Sequence, residues 1–157
     1  MEDLCLLPGF AWSALALLIV CLLALSVSRP GWAERHNGSV RQIIVPPEDR
    51  FTSFAITIRV GQTVEWINND TDDHTVVSDD SFNTAGHRGV NVVLPANGGT
   101  FRLTFKHPGV FPFYCRFHAM LDAQNQPKAP GPDGGIQDAN GNFGTPMSGV
   151  ITVLGED

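Results

Sequence analysis

Cys115 and His118 stand three residues apart, directly after the aromatic run Phe111-Pro112-Phe113-Tyr114. A thiol and an imidazole at that spacing can reach one ion from a single turn. A Cys-x-x-His pair arises often by chance, so the case rests on what accompanies it. His74 follows the polar run Asn68 to Asp73 and offers a second imidazole from a distant part of the chain. Met147 offers a thioether, with Met120, two residues past His118, as the alternative. A soft thiolate, two neutral imidazoles and a weak axial thioether are the donors that select copper and suit one-electron transfer. The expected cofactor is one copper ion held by His74, Cys115, His118 and Met147. Met147 is preferred to Met120 because it shares the inward parity of Ile151 and Val153.

Free cysteines are often just small buried hydrophobes. Zinc would accept the thiolate and imidazoles, but structural zinc sites do not usually employ a thioether. His36, His87 and His107 match no ligand position and are read as surface or turn histidines. Asp70, Asp72, Asp73, Asp79 and Asp80 are read as a solvated acidic loop, with docking of a basic partner as the functional alternative. Asp138-Ala139-Asn140-Gly141-Asn142 begins like a calcium loop, but the glycine at position six and the closing Glu are absent.

The elements that must position the ligands are short strands. Val40 to Val45 is one, stopped by Pro46-Pro47. Ile56, Ile58 and Val60 alternate with Thr57 and Arg59, and Val64 and Trp66 alternate with Thr63 and Glu65, so Trp66 should face the core. His74 opens a short run to Val77, and Val90 to Leu94 is a further short strand. Phe101, Leu103 and Phe105 mark another, turned at His107-Pro108-Gly109. In Val110 to Cys115, period two places Phe111, Phe113 and Cys115 on one face, so the thiol points inward. Pro112 within that run indicates a strand with one unpaired side. Residues 121–146 are rich in Gln, Asn, Pro, Gly and Asp and read as a long loop, unusual inside a compact domain. No internal repeat is evident. The closing strand runs from Gly149 to Val153.

Length and composition bound the rest. The chain has 157 residues, enough for one domain with a leader. Its net charge of −6 argues against a nucleic-acid partner. Residues 10–27 are almost wholly apolar, and Gly31-Trp32-Ala33 suits signal-peptidase cleavage, so 1–33 is expected to be a signal peptide or a signal anchor. The basic n-region of a leader is replaced by Glu2 and Asp3. Residues 34–157 then form the working domain, in a periplasmic or other extracytoplasmic location. Cys5 and Cys21 fall in the leader, which leaves Cys115 as the one thiol of the exported part. A lone exported cysteine calls for burial or a metal.

The chain resembles the cupredoxins, particularly their plastocyanin, pseudoazurin and amicyanin branches. Ile58 to Asp70 (IRVGQTVEWINND) is similar to their strand pair leading to the first ligand, and His74-Thr75-Val76 to that ligand. Pro108 to His118 (PGVFPFYCRFH) is similar to their Cys-and-His loop, and Met147 to Val153 (MSGVITV) to their axial methionine and closing strand. The resemblance implies an all-β Greek-key β-sandwich and a blue copper electron-transfer protein cycling Cu(II) and Cu(I) between redox partner proteins. It also implies a monomer, no enzymatic activity, and a His118 imidazole reaching the surface among Arg116, Phe117 and Ala119. Family members place the axial Met only a few residues past the second His, whereas here 119–146 intervene. A copper chaperone or storage module would use the same ligands without redox turnover. A copper enzyme would need His-x-His pairs that this chain lacks.

Overall fold

The computed structural model describes residues 38–78 and 89–155. The leader, His36, His87, Asp79 and Asp80 lie outside the described residues. All that is described belongs to the unit His36–Asp157, and it is all-β.

Twelve strands follow in order: β1 (Val40–Val45), β2 (Ala55–Arg59), β3 (Thr63–Asn68), β4 (His74–Ser78), β5 (Asn91–Leu94), β6 (Gly99–Thr104), β7 (Gly109–Tyr114), β8 (Met120–Leu121), β9 (Pro127–Ala129), β10 (Ile136–Gln137), β11 (Phe143–Thr145) and β12 (Ser148–Leu154). One sheet has the order β1-β3-β6 and the other β2-β12-β7-β4-β5. The two form the Greek-key β-sandwich. Parallel pairs (β1 with β3, β2 with β12) arise where the chain crosses between sheets, and the remaining pairs are antiparallel.

Alternation explains which side chains meet. In β12 the buried positions are Gly149, Ile151 and Val153; in β7 they are Phe111 and Phe113. These pack with Ile43, Val45, Val64, Trp66 and Val76 from the other strands into one core. Trp66 stacks on Phe101 at 5.5 Å and meets Phe113 edge-on at 5.5 Å, while Phe51 meets the same Phe113 at 4.8 Å. Such pairs add about 0.5–1.5 kcal/mol beyond their area burial. The ring clamped between Trp66 and Phe51 sits two residues before Cys115, so the core fixes the strand that delivers the thiol. Pro112 is opposite Val150 of β12, and the described β4–β7 register touches only Phe113 and Tyr114.

The stretch read as a structureless loop contains strands. β8 pairs with β9 and β10 with β11, each antiparallel. The turns between them use one chemistry twice. The Asp122 carboxylate accepts the backbone N–H groups of Gln124 (2.8 Å) and Gln126 (2.9 Å), and that of Asp138 accepts those of Asn140 (2.8 Å) and Asn142 (3.0 Å). The fourth residue of each turn, Asn125 (φ 58°) or Gly141 (φ 80°), is left-handed. Asp-Ala-Gln-Asn-Gln and Asp-Ala-Asn-Gly-Asn are therefore two copies of one aspartate-capped turn. That corrects the reading of 121–146 as a long loop, and shows a five-residue repeat that hydropathy does not register. The Asp138 carboxylate is consumed by its own turn.

Candidate metal centre

Three donor atoms converge at one end of the sandwich. His118 Nδ1 lies 3.1 Å from His74 Nδ1, and Cys115 Sγ lies 3.5 Å from His118 Nδ1 and 3.9 Å from His74 Nδ1. Donors about 2.0–2.3 Å from a common ion would be roughly 3.5–4 Å apart in a plane. The triangle is close to that size, and all three residues are buried. The donor set fits copper as proposed from the sequence.

Each ligand position has a local cause. Buried Asn68, at the end of β3, donates through Nδ2 to the carbonyls of Asp72 (2.8 Å) and Leu94 (2.9 Å), and its Oδ1 accepts the Asp70 N–H (3.0 Å). This folds the polar loop and sets His74 at the entry of β4. The next residue, Thr75, donates its N–H to Cys115 Sγ (3.3 Å); its hydroxyl donates to the same sulfur (3.5 Å) and accepts the Arg116 N–H (2.9 Å). The two ligand-bearing segments are thus tied through one threonine. A tight turn then brings His118 back, its N–H donating to the Cys115 carbonyl at 3.2 Å.

The two methionines are placed very differently. Met147 is fully buried in the core cluster. Its main chain bonds both ends of the Cys–His turn: the Cys115 N–H donates to the Met147 carbonyl (3.0 Å), and the Met147 N–H to the His118 carbonyl (2.9 Å). Met120 lies on β8 and is 50% exposed.

Two carboxylates that sequence reasoning did not assign complete the surroundings. His74 Nε2 is 3.1 Å from Asp70 Oδ2 and 3.8 Å from Asp49 Oδ1, while His118 Nε2 is 3.6 Å from Asp49 Oδ1. Asp70 is therefore no part of a solvated loop; it is buried against a ligand. Asp72 and Asp73 are exposed, as read. His118 is also corrected: only 5% of it is exposed, and Ala119 is buried with it. Arg116 is exposed and Phe117 half-buried, with the guanidinium 5.1 Å over the Phe117 ring. His107 is an exposed turn residue.

The inserted segment packs against the main chain on both sides of His118. The Asp133 N–H donates to the Phe117 carbonyl (3.2 Å), and a Cβ on Gly131 would stand 2.2 Å from that oxygen and 2.7 Å from the Ala119 nitrogen. Only glycine permits so close an approach of two backbones. Beside His118 a cleft of about 450 Å³ remains, lined by Asp49, Asp72, Asp73 and Asp133 with Phe117 and Phe143.

Electrostatics within the site favour a thiolate beside the two imidazoles. Burial pushes the Cys115 thiol up, but hydrogen bonds with His118, His74 and Thr75 outweigh it and bring the group down to about 5. Burial would lower His74 and His118; the contact with the Cys115 sulfur, and Asp70 or Asp49 behind, raises both above the ordinary histidine value. Asp49 is raised by burial, against the opposing pull of His118 and His74. A thiol already inclined to ionise is what a metal ligand requires.

The model of the copper-binding proteins of the plastocyanin/azurin family matches residues 49–124, a span that contains His74, Cys115 and His118. This match supports a copper-binding cupredoxin, with His74, Cys115, His118 and Met147 forming a candidate type 1 copper site. Among solved structures, it is similar to a purple cupredoxin from Nitrosopumilus maritimus, with 22% identity over 73% of this chain and 99% of that one and a TM-score of 0.46. It is also similar to amicyanin from Paracoccus versutus, with 14% identity over 74% and 82% of the two chains and a TM-score of 0.46.

Proposed function

We propose that this protein is an extracytoplasmic electron carrier in which His74 Nδ1, Cys115 Sγ and His118 Nδ1 would hold one copper ion, with the Met147 thioether as a further donor. The observation that carries the reading is the convergence of three buried donors from two distant segments, with the thiol drawn down to about 5. Bound copper supplies a one-electron couple, Cu(II)/Cu(I). The protein's part is to hold the donors still. Thr75 bonds the sulfur, Asn68 sets the loop before His74, and the Met147 main chain closes the Cys–His turn. Ligands fixed this way move little between oxidation states, which keeps electron exchange fast.

Burial of all three donors argues against the chaperone or storage reading, since delivery requires an incoming protein to reach the metal. Residues 1–33 are the proposed export signal. The partner is a redox protein that approaches the cleft beside His118, whose four aspartates suit a basic surface. Salt should then slow electron exchange, chiefly by lowering the association rate.

The test is to add Cu(II) to the domain 34–157 and record visible and EPR spectra. An intense thiolate-to-copper band with narrow copper hyperfine coupling is expected, and its absence refutes the assignment. Met147→Leu should shift the reduction potential strongly and Met120→Leu should leave it in place. The reverse result would move the axial role to Met120.

A further inference from the structure

Asp49 is 25 residues from the nearest proposed ligand in sequence, yet it alone among the described carboxylates reaches the outer nitrogen of both histidines. Its Oδ1 stands 3.6 Å from His118 Nε2 and 3.8 Å from His74 Nε2. His74 has a second and closer acidic neighbour, Asp70, at 3.1 Å. For His118, Asp49 is the one acidic neighbour at ion-pair distance among the described residues.

The position is built into the fold. Pro46-Pro47 ends β1, and the turn that follows leaves Asp49 at φ 51°, a left-handed conformation that aspartate tolerates better than most residues. Ile44 and Thr52 exchange backbone hydrogen bonds around the turn, and Phe51 packs edge-on against Phe113, the ring that also fixes the Cys115 strand. The residue is only 7% exposed. Its carboxylate is thus held by both the core and the β1 edge.

Building on the copper assignment above, we infer that Asp49 is a positioning residue of the metal centre, a single carboxylate shared by the outer nitrogens of His74 and His118. Facing a carboxylate, each ring keeps its Nε2 proton outward and its Nδ1 lone pair turned to the metal. Carboxylates behind ligating histidines fix ring orientation and make the imidazole a stronger donor. A buried negative charge behind two ligands also stabilises Cu(II) relative to Cu(I), which lowers the reduction potential. The effect falls mainly on His118, because His74 retains Asp70.

The experiment compares wild type, Asp49→Asn and Asp133→Asn, all loaded with copper. Asp133 lines the same cleft from its exposed rim, so it controls for loss of a nearby charge. Asp49→Asn should keep one copper per chain and the thiolate band. Its Cu(I):Cu(II) affinity ratio should rise at least tenfold, which is about 59 mV for a one-electron couple. Asp133→Asn should shift the potential far less. In the diamagnetic Cu(I) protein, proton NMR should show the His118 Nε2–H exchanging faster in Asp49→Asn, with that of His74 little changed. Should Asp49→Asn not fold, Asp49→Gly, which suits the left-handed backbone, carries the same comparison. Equal shifts in the Asp49 and Asp133 variants, or an unmoved potential, overturn the inference. So does loss of the bound copper from Asp49→Asn, which would make Asp49 a ligand. A wild type without the thiolate band removes the copper assignment itself; a normal wild type with an unmoved Asp49 variant removes only this inference.

Discussion

The sandwich and the inserted segment 121–146 hold their shapes by different means. Sandwich strands bury every second side chain, and the ligands inherit their positions from that packing. His74 opens β4, Cys115 directly follows β7 and Met147 directly precedes β12, and the last two belong to the core cluster of Trp66, Phe111, Phe113 and Ile151. The insertion contributes nothing to that core cluster. It is shaped by two aspartate-capped turns and docked by glycine backbones pressed against the Cys–His turn. Apolar packing thus sets where the metal donors are, while polar turn chemistry and backbone contact set what can approach them.

This division can be broken most forcefully in the core. Phe113→Ala removes the ring held by Trp66 and Phe51 and should cost about 3–5 kcal/mol in denaturant unfolding, with weaker copper binding because Cys115 follows two residues on. If stability holds and copper binding is unaffected, packing does not position the thiol.

Gly131→Ala should cost less, about 1–3 kcal/mol, since the added methyl meets main-chain atoms that cannot rotate away. The expected change is local: the insertion lifts, and hydrogen exchange accelerates at Phe117 to Ala119 while β7 and β12 stay protected. Uniform loss of protection would mean that the two regions unfold together.

Acid should distinguish the regions without mutation. Cys115 lies near 5 in the metal-free fold, well below an ordinary thiol. The native state therefore binds fewer protons than the unfolded chain between about 5 and 9, so this group's contribution is complete above that window and is lost as pH falls through it. Asp122 and Asp138 are held below the usual carboxylate value, chiefly by the backbone N–H groups of Gln126 and Asn142 respectively. Their contribution has the same sign but is lost only at lower pH. Ultraviolet absorption of the thiolate should accordingly disappear around pH 5, before the turn amides lose exchange protection.

The smallest effect is expected from Asp138→Ala. Amides of Asn140 and Asn142 should exchange faster, with little change in global stability or in the copper spectra. A clear spectral change would show that the turn supports the ligands after all.

Much of the sandwich could be read from parity. Phe111, Phe113 and Cys115 share the buried face that period two assigns them, and Val64 and Trp66 are buried as their alternation requires. The three donors that the structure gathers are also those that thiol and imidazole chemistry singles out. The misses lie where local pattern carries no information. Asp49 sits in a Pro-Pro turn like any surface aspartate, and only the pairing of Ile44 with Thr52 brings it to the histidines. Asp70 is indistinguishable in composition from exposed Asp72 and Asp73. The close packing of the Cys–His turn against the insertion rests on glycine contacts made by residues far along the chain. The two Asp-Ala turns were missed as well, because their signal is turn chemistry at five-residue scale and hydropathy does not register it.

The two hydrogen bonds between the Met147 main chain and the Cys–His turn have an evolutionary consequence. They staple the chain where it leaves the site and where it returns, so everything between Ala119 and Pro146 is an excursion that begins and ends at the same place. Closure entropy grows only logarithmically with the length of such an excursion. The segment is therefore a cassette: a lineage can lengthen, shorten or replace it and acquire a new surface around an old electron site, leaving the copper spectroscopy of the parent intact.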